Sequence, residues 1–206
     1  MTNIDTSNVT TGAPVEGACC YTSFAASPTL PSTAAEAMDS FDSVGEISEN
    51  GYTKSVSVNT NKFKGWHGST ILTQVSDEEN TFKVEFVEVD GAVANKIRYG
   101  SDKVQVDENG KVTAIDPTVV PSDVLPLIFD ELLANGRKRR TVFPRATIES
   151  IDDEAHAKGS LLVYGMTFSA NVDDQGRPYY IREAAPADEG GESGESAESA
   201  ESTEGA

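Results

Sequence analysis

The residues of this chain that are capable of catalysis are few and form no known catalytic pattern. His67 lies in the run Gly65-Trp66-His67-Gly68 and His156 in a polar segment, and neither has a sequence partner for activating a nucleophile. The chain contains no glycine-rich phosphate loop and no Gly-x-Ser-x-Gly run. We therefore expect no enzyme activity, no catalytic residue and no bound cofactor.

Metal-binding patterns are also missing from the sequence. The only cysteines, Cys19 and Cys20, are adjacent, which disfavours a bridge between them. Two neighbouring thiols in a chain that has no visible secretion signal indicate that the protein folds in a reducing compartment. The acidic runs at 107–110 and 173–176 lack the spaced oxygens of a calcium loop. Each places glycine late in a four-residue run, which instead predicts a type I turn closed by that glycine.

Four consecutive cations occupy residues 137–140 in a chain whose formal net charge is −18. They follow Asn135-Gly136, a pair that predicts a two-residue hairpin because both residues tolerate positive φ. Alternation along the strand would place Arg137 and Arg139 on one face, and Lys138 and Arg140 on the other. This split, and the acidity of the chain, oppose binding of the run to nucleic acid. Ion pairs within a sheet or across a subunit boundary are favoured, because arginine forms bidentate pairs with carboxylates.

A second candidate surface surrounds Trp66, the only tryptophan, which follows Phe63 and Lys64. The flanking glycines and lysines indicate an exposed bend that carries two large aromatic side chains. Two interpretations are open: a small satellite core, or an anchor for a protein–protein contact, where buried tryptophan supplies much of the affinity.

The acidity of the chain is concentrated at its two ends. Residues 1–53 hold seven acidic groups and no lysine or arginine, and residues 183–206 hold eight and none. The final segment repeats glutamate every third residue from Glu192 to Glu204 and contains no large apolar side chain that could offset the entropy of ordering. We predict a flexible segment at 1–15, one domain at 16–182 and a disordered tail at 183–206. The tail is interpreted as an acidic brush that repels neighbours or as a solvated segment that aids solubility.

Alternation of apolar and polar residues predicts a mainly β domain. The clearest case is Leu161–Val172, followed by Thr81–Val89. Other strands are predicted at Ala18–Phe24, Val44–Ser48, Thr53–Val58, Thr70–Ser76, Lys103–Val106, Lys111–Ile115, Leu127–Leu133, Arg137–Ile148 and Pro178–Arg182. Pro144, inside a strand, predicts an edge or a bulge.

Two short helices complete the prediction. Thr33 and Glu36 have the spacing of a capping box, which predicts a helix that continues to about Phe41. Asp90 is predicted to cap a second helix that ends at Gly100. The expected fold is a β-sandwich or barrel with a short α-helix packed against it.

Five segments of the chain, in this order and spacing, resemble the major tail tube proteins of long, flexible-tailed bacteriophages. The resemblance covers roughly residues 15–182. The segments are Val44–Gly51, Lys64–Gly68, Thr81–Glu88, Ile97–Gly100 and Arg137–Ala146.

This resemblance implies a virion protein that forms stacked, hexameric rings around a hollow tube through which genome DNA passes. Its partners would be further copies of itself and other tail proteins, such as the tape measure and tube-end proteins, with DNA only in transit and no membrane. It would be located in the virion tail, and in the host bacterial cytoplasm during assembly. A long loop or hairpin at Val58–Thr70 would contact the neighbouring ring. Candidate inter-subunit contacts are Phe63, Lys64, Trp66, Arg137, Arg139 and Arg140.

Two other classes of protein remain open. A monomeric Ig-like binding or surface-decorating domain would share the predicted strands but stay monodisperse at high concentration. An uncharacterised hydrolase would require convergent titratable groups, which the sequence does not display.

The composition of the acidic tail generates a first prediction. A chain that lacks residues 188–206 is expected to assemble as the full chain does, because the segment has no large apolar side chain to contribute to packing. Negative-stain electron microscopy of both proteins would check this. If only the full chain polymerised, the segment would be required for assembly.

Overall fold

The computed structural model of the chain describes residues 9–15, 17–117 and 119–185, which contain eleven strands and one helix. In chain order they are β1 (Gly12–Pro14), β2 (Cys20–Thr22), β3 (Asp42–Gly45), β4 (Ile47–Lys64), β5 (Thr70–Phe86), α1 (Ala92–Tyr99), β6 (Val104–Val106), β7 (Val112–Ile115), β8 (Leu125–Leu133), β9 (Lys138–Ile151), β10 (Tyr164–Asn171) and β11 (Tyr180–Ala184).

Nine of these strands form one antiparallel sheet, and β6 and β7 form a separate ribbon. The strand order is β3-β2-β8-β9-β10-β5-β4, with β1 paired to one end of β8 and β11 to one end of β9. The sheet curves over itself, since the ring of Tyr52 in β4 stacks on Phe129 in β8, 4.2 Å away, although three strands separate them in the sheet. The predicted mainly β fold, a sandwich with a flanking helix, is confirmed.

Aromatic side chains fill the space that this curvature encloses. Phe82 stacks on Phe143 at 3.8 Å between ring centroids and on Phe168 at 5.1 Å, and all three are buried. Such pairs contribute about 0.5–1.5 kcal/mol each beyond the burial of their area. The alternation in Thr81–Val89 is confirmed, because Phe82, Val84 and Phe86 all point into the core.

Helix α1 packs on this core through Ala94 and Ile97 and ends at Gly100, as predicted, where φ is +96°. Its start differs from the prediction: Gly91 is the N-cap residue, and no side chain, that of Asp90 included, caps the helix. Among the described residues, no helix is long and apolar enough to cross a membrane.

The predicted helix at 33–41 is wrong. Glu36 does accept hydrogen bonds from the amides of Ser32 and Thr33, as in a capping box, but the segment forms only bends and a turn. Arginine side chains donate hydrogen bonds to the carbonyl oxygens that would accept main-chain amides in a helix. Arg140 donates to those of Thr33 and Glu36, and Arg182 donates to that of Ser32. Tertiary hydrogen bonds therefore replace the helical ones in this segment.

The turn between β8 and β9 also differs from the prediction. Gly136 donates to the carbonyl of Leu133 and Leu133 donates to Arg137, which leaves three residues in the loop rather than two. Only Gly136 has a positive φ, at +76°, while Asn135 does not. This arrangement is a type I turn followed by a left-handed glycine, the usual three-residue hairpin loop.

The bulge predicted at Pro144 is confirmed. The pairing of β9 with β8 passes from Phe143 opposite Leu127 to Ala146 opposite Leu125, so two residues of β9 face Pro126 alone. On its other side β9 changes partner at the same point, from β11 at 138–142 to β10 at 145–151. Pro144 has no amide hydrogen to donate and occupies the break in both ladders.

The limits of the domain extend beyond the predicted ones at both ends. β1 lies in the segment predicted to be flexible and pairs with β8. β11 continues to Ala184, so Glu183 belongs to the sheet and not to the acidic tail. Residues 1–8 and the tail from 186 onward lie outside the described residues.

The buried Arg140 generates a prediction about stability. Its guanidinium donates to both carboxylate oxygens of Asp130, at 2.7 and 2.8 Å, and both side chains are inaccessible. Arg140→Met is expected to lower the free energy of unfolding by about 3–5 kcal/mol, because the buried carboxylate of Asp130 loses both guanidinium hydrogen bonds and keeps only its ion pair with Lys138. Urea denaturation would measure this. Arg139→Met, which breaks an exposed pair, is the control, and equal losses in the two variants would contradict the assignment.

Candidate interaction surface

The hairpin of β4 and β5 extends far beyond the core of the domain. Every residue from Thr53 to Glu79 is exposed except Gly65, and we call this segment the arm. At about 3.3 Å per residue, the ribbon from Tyr52 to Lys64 reaches roughly 40 Å. The predicted loop or hairpin at Val58–Thr70 is therefore the outer part of a longer hairpin, and the strands predicted at 53–58, 70–76 and 81–89 belong to two continuous strands.

The arm presents apolar side chains on both of its faces. Val56 and Val58 lie on the face that continues the core side of the sheet, and Val75 joins them on that face beyond a bulge at Ser76. Nearer the end of the arm the apolar pair changes face, because Phe63 lies opposite Leu72 on the other side. Roughly half or more of each of these five side chains is exposed. The ribbon therefore offers apolar surface in two directions.

A tight turn at residues 65–68 ends the arm. Gly68 donates to the carbonyl of Gly65 at 2.8 Å and has a φ of +82°, the left-handed conformation that glycine adopts without strain. The Trp66 side chain in this turn is 100% exposed. The satellite-core interpretation of Trp66 is thus wrong within the described chain, and the protein-contact interpretation stays a prediction.

The part of the arm from residue 54 to residue 76 is basic, although the protein as a whole is acidic. Residues 54–76 contain three lysines and neither aspartate nor glutamate. Among the described residues, Lys62 and Lys64 form no ion pair with a carboxylate. Phe63, Lys64 and Trp66, the candidates from the sequence, therefore lie together at an exposed end that carries unpaired positive charge.

The basic run at 137–140 divides by face, as alternation predicted. Arg137 and Arg139 both pair with Glu183 of β11, at 2.9 and 2.6 Å. Bonds from Arg139, with the nearby charge of Arg137, lower the pKa of the Glu183 carboxyl. These two arginines are partly exposed, so the face they share remains open to a further partner.

The opposite face of the run points inward. Lys138 lies 2.9 Å from a carboxylate oxygen of Asp130, the same side chain that holds Arg140. Arg140 has no exposed surface, so its prediction as an inter-subunit contact is corrected: its donors are used within the chain, by Asp130 and by the carbonyls of Thr33 and Glu36. The run is therefore no continuous cationic patch, which weakens the nucleic-acid interpretation further.

The reactive side chains considered from the sequence have structural surroundings. Burial raises the pKa of the Cys20 thiol, and that of Cys19 to a lesser degree, which keeps both protonated. Asp107 and Asp173 accept amide hydrogen bonds from their own turns, so the turn predictions are confirmed. Within the described ranges, no three His, Cys, Asp or Glu side chains form a group that could hold a metal ion.

One feature of the surface was missed from the sequence. An open cleft of about 520 Å³ lies between β1, the first residues of β4 and the middle of β8. Among the residues that the structure describes, its acidic lining residues are Glu46, Glu49, Asp130 and Glu131, and no basic one lines it. The signal that could have indicated it is Asn50-Gly51, which interrupts the strand pattern after Ser48.

Comparison with known proteins adds no relative: no protein-family model matches the chain, and no curated protein shows significant similarity to it. The features that bear on function are therefore those of the chain itself, namely the arm, the two edges of the sheet and the distribution of charge.

The pairing of Glu183 generates a prediction about pH. Its pKa in the folded chain is lower than the usual 4.5, so its contribution to stability is present above that pH and is lost as the pH falls through the folded value. Glu183→Gln should therefore lower the urea midpoint at neutral pH, and the difference from the natural chain should shrink as the pH is lowered below 4.5. A difference that stayed constant across this range would exclude an ionic contribution.

Proposed function

We propose that this protein is a structural subunit that polymerises through its arm into rings and a hollow tube, as the tail tube subunit of a long, flexible-tailed bacteriophage. The observation that carries the proposal is the arm, a 40 Å-scale ribbon with apolar side chains on both faces and no cover within the described chain. The resemblance of five sequence segments to the major tail tube proteins supports the same class.

Physical chemistry favours a partner for the arm. A two-stranded ribbon is marginally stable by itself in water, and its outer part here has no core to pack against. Clustered exposed apolar side chains mark interaction sites in soluble proteins. Because the apolar residues lie on both faces, one flat partner surface would cover only some of them. Insertion between two neighbouring subunits would cover both sets.

The sheet has strands with a free edge that copies of the chain could complete. Among the described strands, β3 pairs only with β2 at one end of the sheet and β4 pairs only with β5 at the other, while β1 and β11 also have one partner each. Unpaired strand edges are hazards that proteins cover or close, and closure of a ring of subunits removes them. A structural subunit therefore explains why β4 is long and has no strand paired to its outer edge among the described residues.

The acidity of the chain suits a channel for DNA. The formal net charge of the chain is −18. A lumen lined by carboxylates would repel phosphate groups at short range, within a Debye length of about 8 Å. In this proposal the DNA passes through without a binding site, and the other tail proteins contact the ends of the tube. The subunit would be in the host bacterial cytoplasm before assembly and in the virion afterwards.

A monomeric Ig-like binding or surface-decorating domain is the second candidate. It is favoured by the core, because the aromatic cluster around Phe82 is complete within one chain. Such a domain does not need the arm to contact another copy, so the behaviour of the purified protein at high concentration separates the two candidates.

Replacement of Trp66 tests the proposal. Trp66→Ala is expected to cost about 2 kcal/mol or more of association free energy, which raises the concentration needed for polymerisation roughly thirtyfold. The same substitution should change the free energy of unfolding by no more than about 0.5 kcal/mol, since the Trp66 side chain is fully exposed. Negative-stain electron microscopy and light scattering would measure assembly, and urea denaturation would measure stability.

The matched control is Leu161→Ala, which removes another exposed apolar side chain outside the arm. It should assemble as the natural chain does. Rings or tubes from the natural chain and small single particles from Trp66→Ala would support the proposal. A natural chain that stayed monomeric at high concentration would favour the Ig-like alternative.

A further inference from the structure

The acidic cleft is formed where β4 leaves its ladder. Ile47 lies opposite Phe86 and Tyr52 opposite Val84, so residues 48–51 bulge away from Glu85. Gly51 has a φ of +64° within this bulge, a conformation that favours glycine. The bulge holds the main chain away from β5 and opens the space between β4, β1 and the middle of β8.

The lining of the cleft combines an apolar floor with an acidic rim. Tyr52 stacked on Phe129 lies among the lining residues, and Glu46 and Glu49 are exposed at the same site. Asp130 is already neutralised by its ion pairs, but Glu46, Glu49 and Glu131 form no salt bridge to a lysine or arginine among the described residues. The buried hydroxyl of Ser48, also in the lining, has no hydrogen-bond partner in the described chain.

The end of the arm has the complementary chemistry. It carries an exposed indole at Trp66 with Lys62 and Lys64 close by in sequence and no acidic residue in the arm before Asp77. A cleft of about 520 Å³ has the size of sites that accept groups as large as an indole. The arm cannot reach the cleft of its own chain, because β4 runs from the cleft at Tyr52 as an extended ribbon for roughly 40 Å before Lys64.

We propose that this cleft is the receptor for the end of the arm of a second copy of the chain. The indole of Trp66 packs against Tyr52, which is itself stacked on the buried ring of Phe129, and the lysines of the arm pair with the glutamates of the rim. This inference rests on the proposed function, since it requires self-association, and it adds the acceptor surface that self-association uses. One chain then carries both halves of a head-to-tail contact, which generates open or ring-closed assemblies rather than a symmetric dimer.

Photo-cross-linking locates the acceptor directly. The full chain with p-benzoylphenylalanine in place of Trp66 would be irradiated under assembly conditions, and the cross-linked peptides would be identified by mass spectrometry. We expect intermolecular links to residues 46–52 or 129–131. Links to another part of a second copy would overturn the cleft as receptor while leaving the proposed function intact. Absence of intermolecular links under conditions where this variant polymerises would also overturn the cleft as receptor, and failure of the natural chain to polymerise would overturn both.

A charge swap provides the second test. Glu49→Lys and Lys64→Glu should each raise the concentration needed for polymerisation roughly tenfold, and the combined variant should recover most of the loss, since the pair is restored with its signs exchanged. Glu108→Lys and Lys158→Glu make the same charge changes at exposed positions outside both surfaces and should have little effect. If Glu49→Lys and Lys64→Glu polymerised as these controls do, while Trp66→Ala remained impaired, the cleft would be rejected as the receptor and the proposed function would stand.

Single-stranded DNA is the alternative ligand for the end of the arm, since aromatic and basic side chains also bind nucleic acid. Fluorescence of Trp66, the only tryptophan, would report it. Quenching by oligothymidine together with failure to self-associate would overturn the proposal, and self-association that is unaffected by oligothymidine would support it.

Discussion

The hydrophobic core of this protein ends near Phe82, but the two strands that pass it continue. Inside the core, Phe82 stacks on Phe143 and Phe168 and is covered on all sides. Beyond it, main-chain hydrogen bonds hold the two strands of the ribbon together on either side of its bulges, while Val56, Val58 and the apolar side chains nearer its end stay about half exposed or more. Backbone pairing maintains the shape of the arm, and apolar exposure makes association with a partner favourable.

Each of the four cations of the basic run has a carboxylate partner. In the basic run, one face of β9 pairs with Glu183 and the other with Asp130, so the run stabilises the contact with β11 and the segment at 31–36. The buried Arg140 is the centre of this network, because it binds the carboxylate of Asp130 and two main-chain carbonyls. Lys62 and Lys64 of the arm have no such partner among the described residues. The end of the arm thus carries unpaired positive charge, and no acidic residue of the arm precedes Asp77.

Much of the architecture could be predicted from local pattern. Alternation identified the core strands, the acidic runs at 107–110 and 173–176 identified two turns, and Pro144 identified a bulge, because each depends on properties of a few neighbouring residues. The helix predicted at 33–41 was wrong because Arg140, distant in sequence, takes two of the carbonyls concerned. For the candidate site, Phe63, Lys64 and Trp66 could be selected from composition. Arg140 could not be distinguished from Arg139, since burial is a property of the folded sheet.

The sequence by itself determined the β-rich character of the domain, the alternation of faces along the basic run and the polarity of the two chain ends, because these follow from side-chain chemistry and the two-residue period of a strand. Only the tertiary structure decided that the predicted loop is a long arm, that Trp66 has no cover and that the bulge at 48–51 opens an acidic cleft. These depend on which strands pair and where the pairing stops. Contacts between residues distant in sequence set both, and no local pattern contains them.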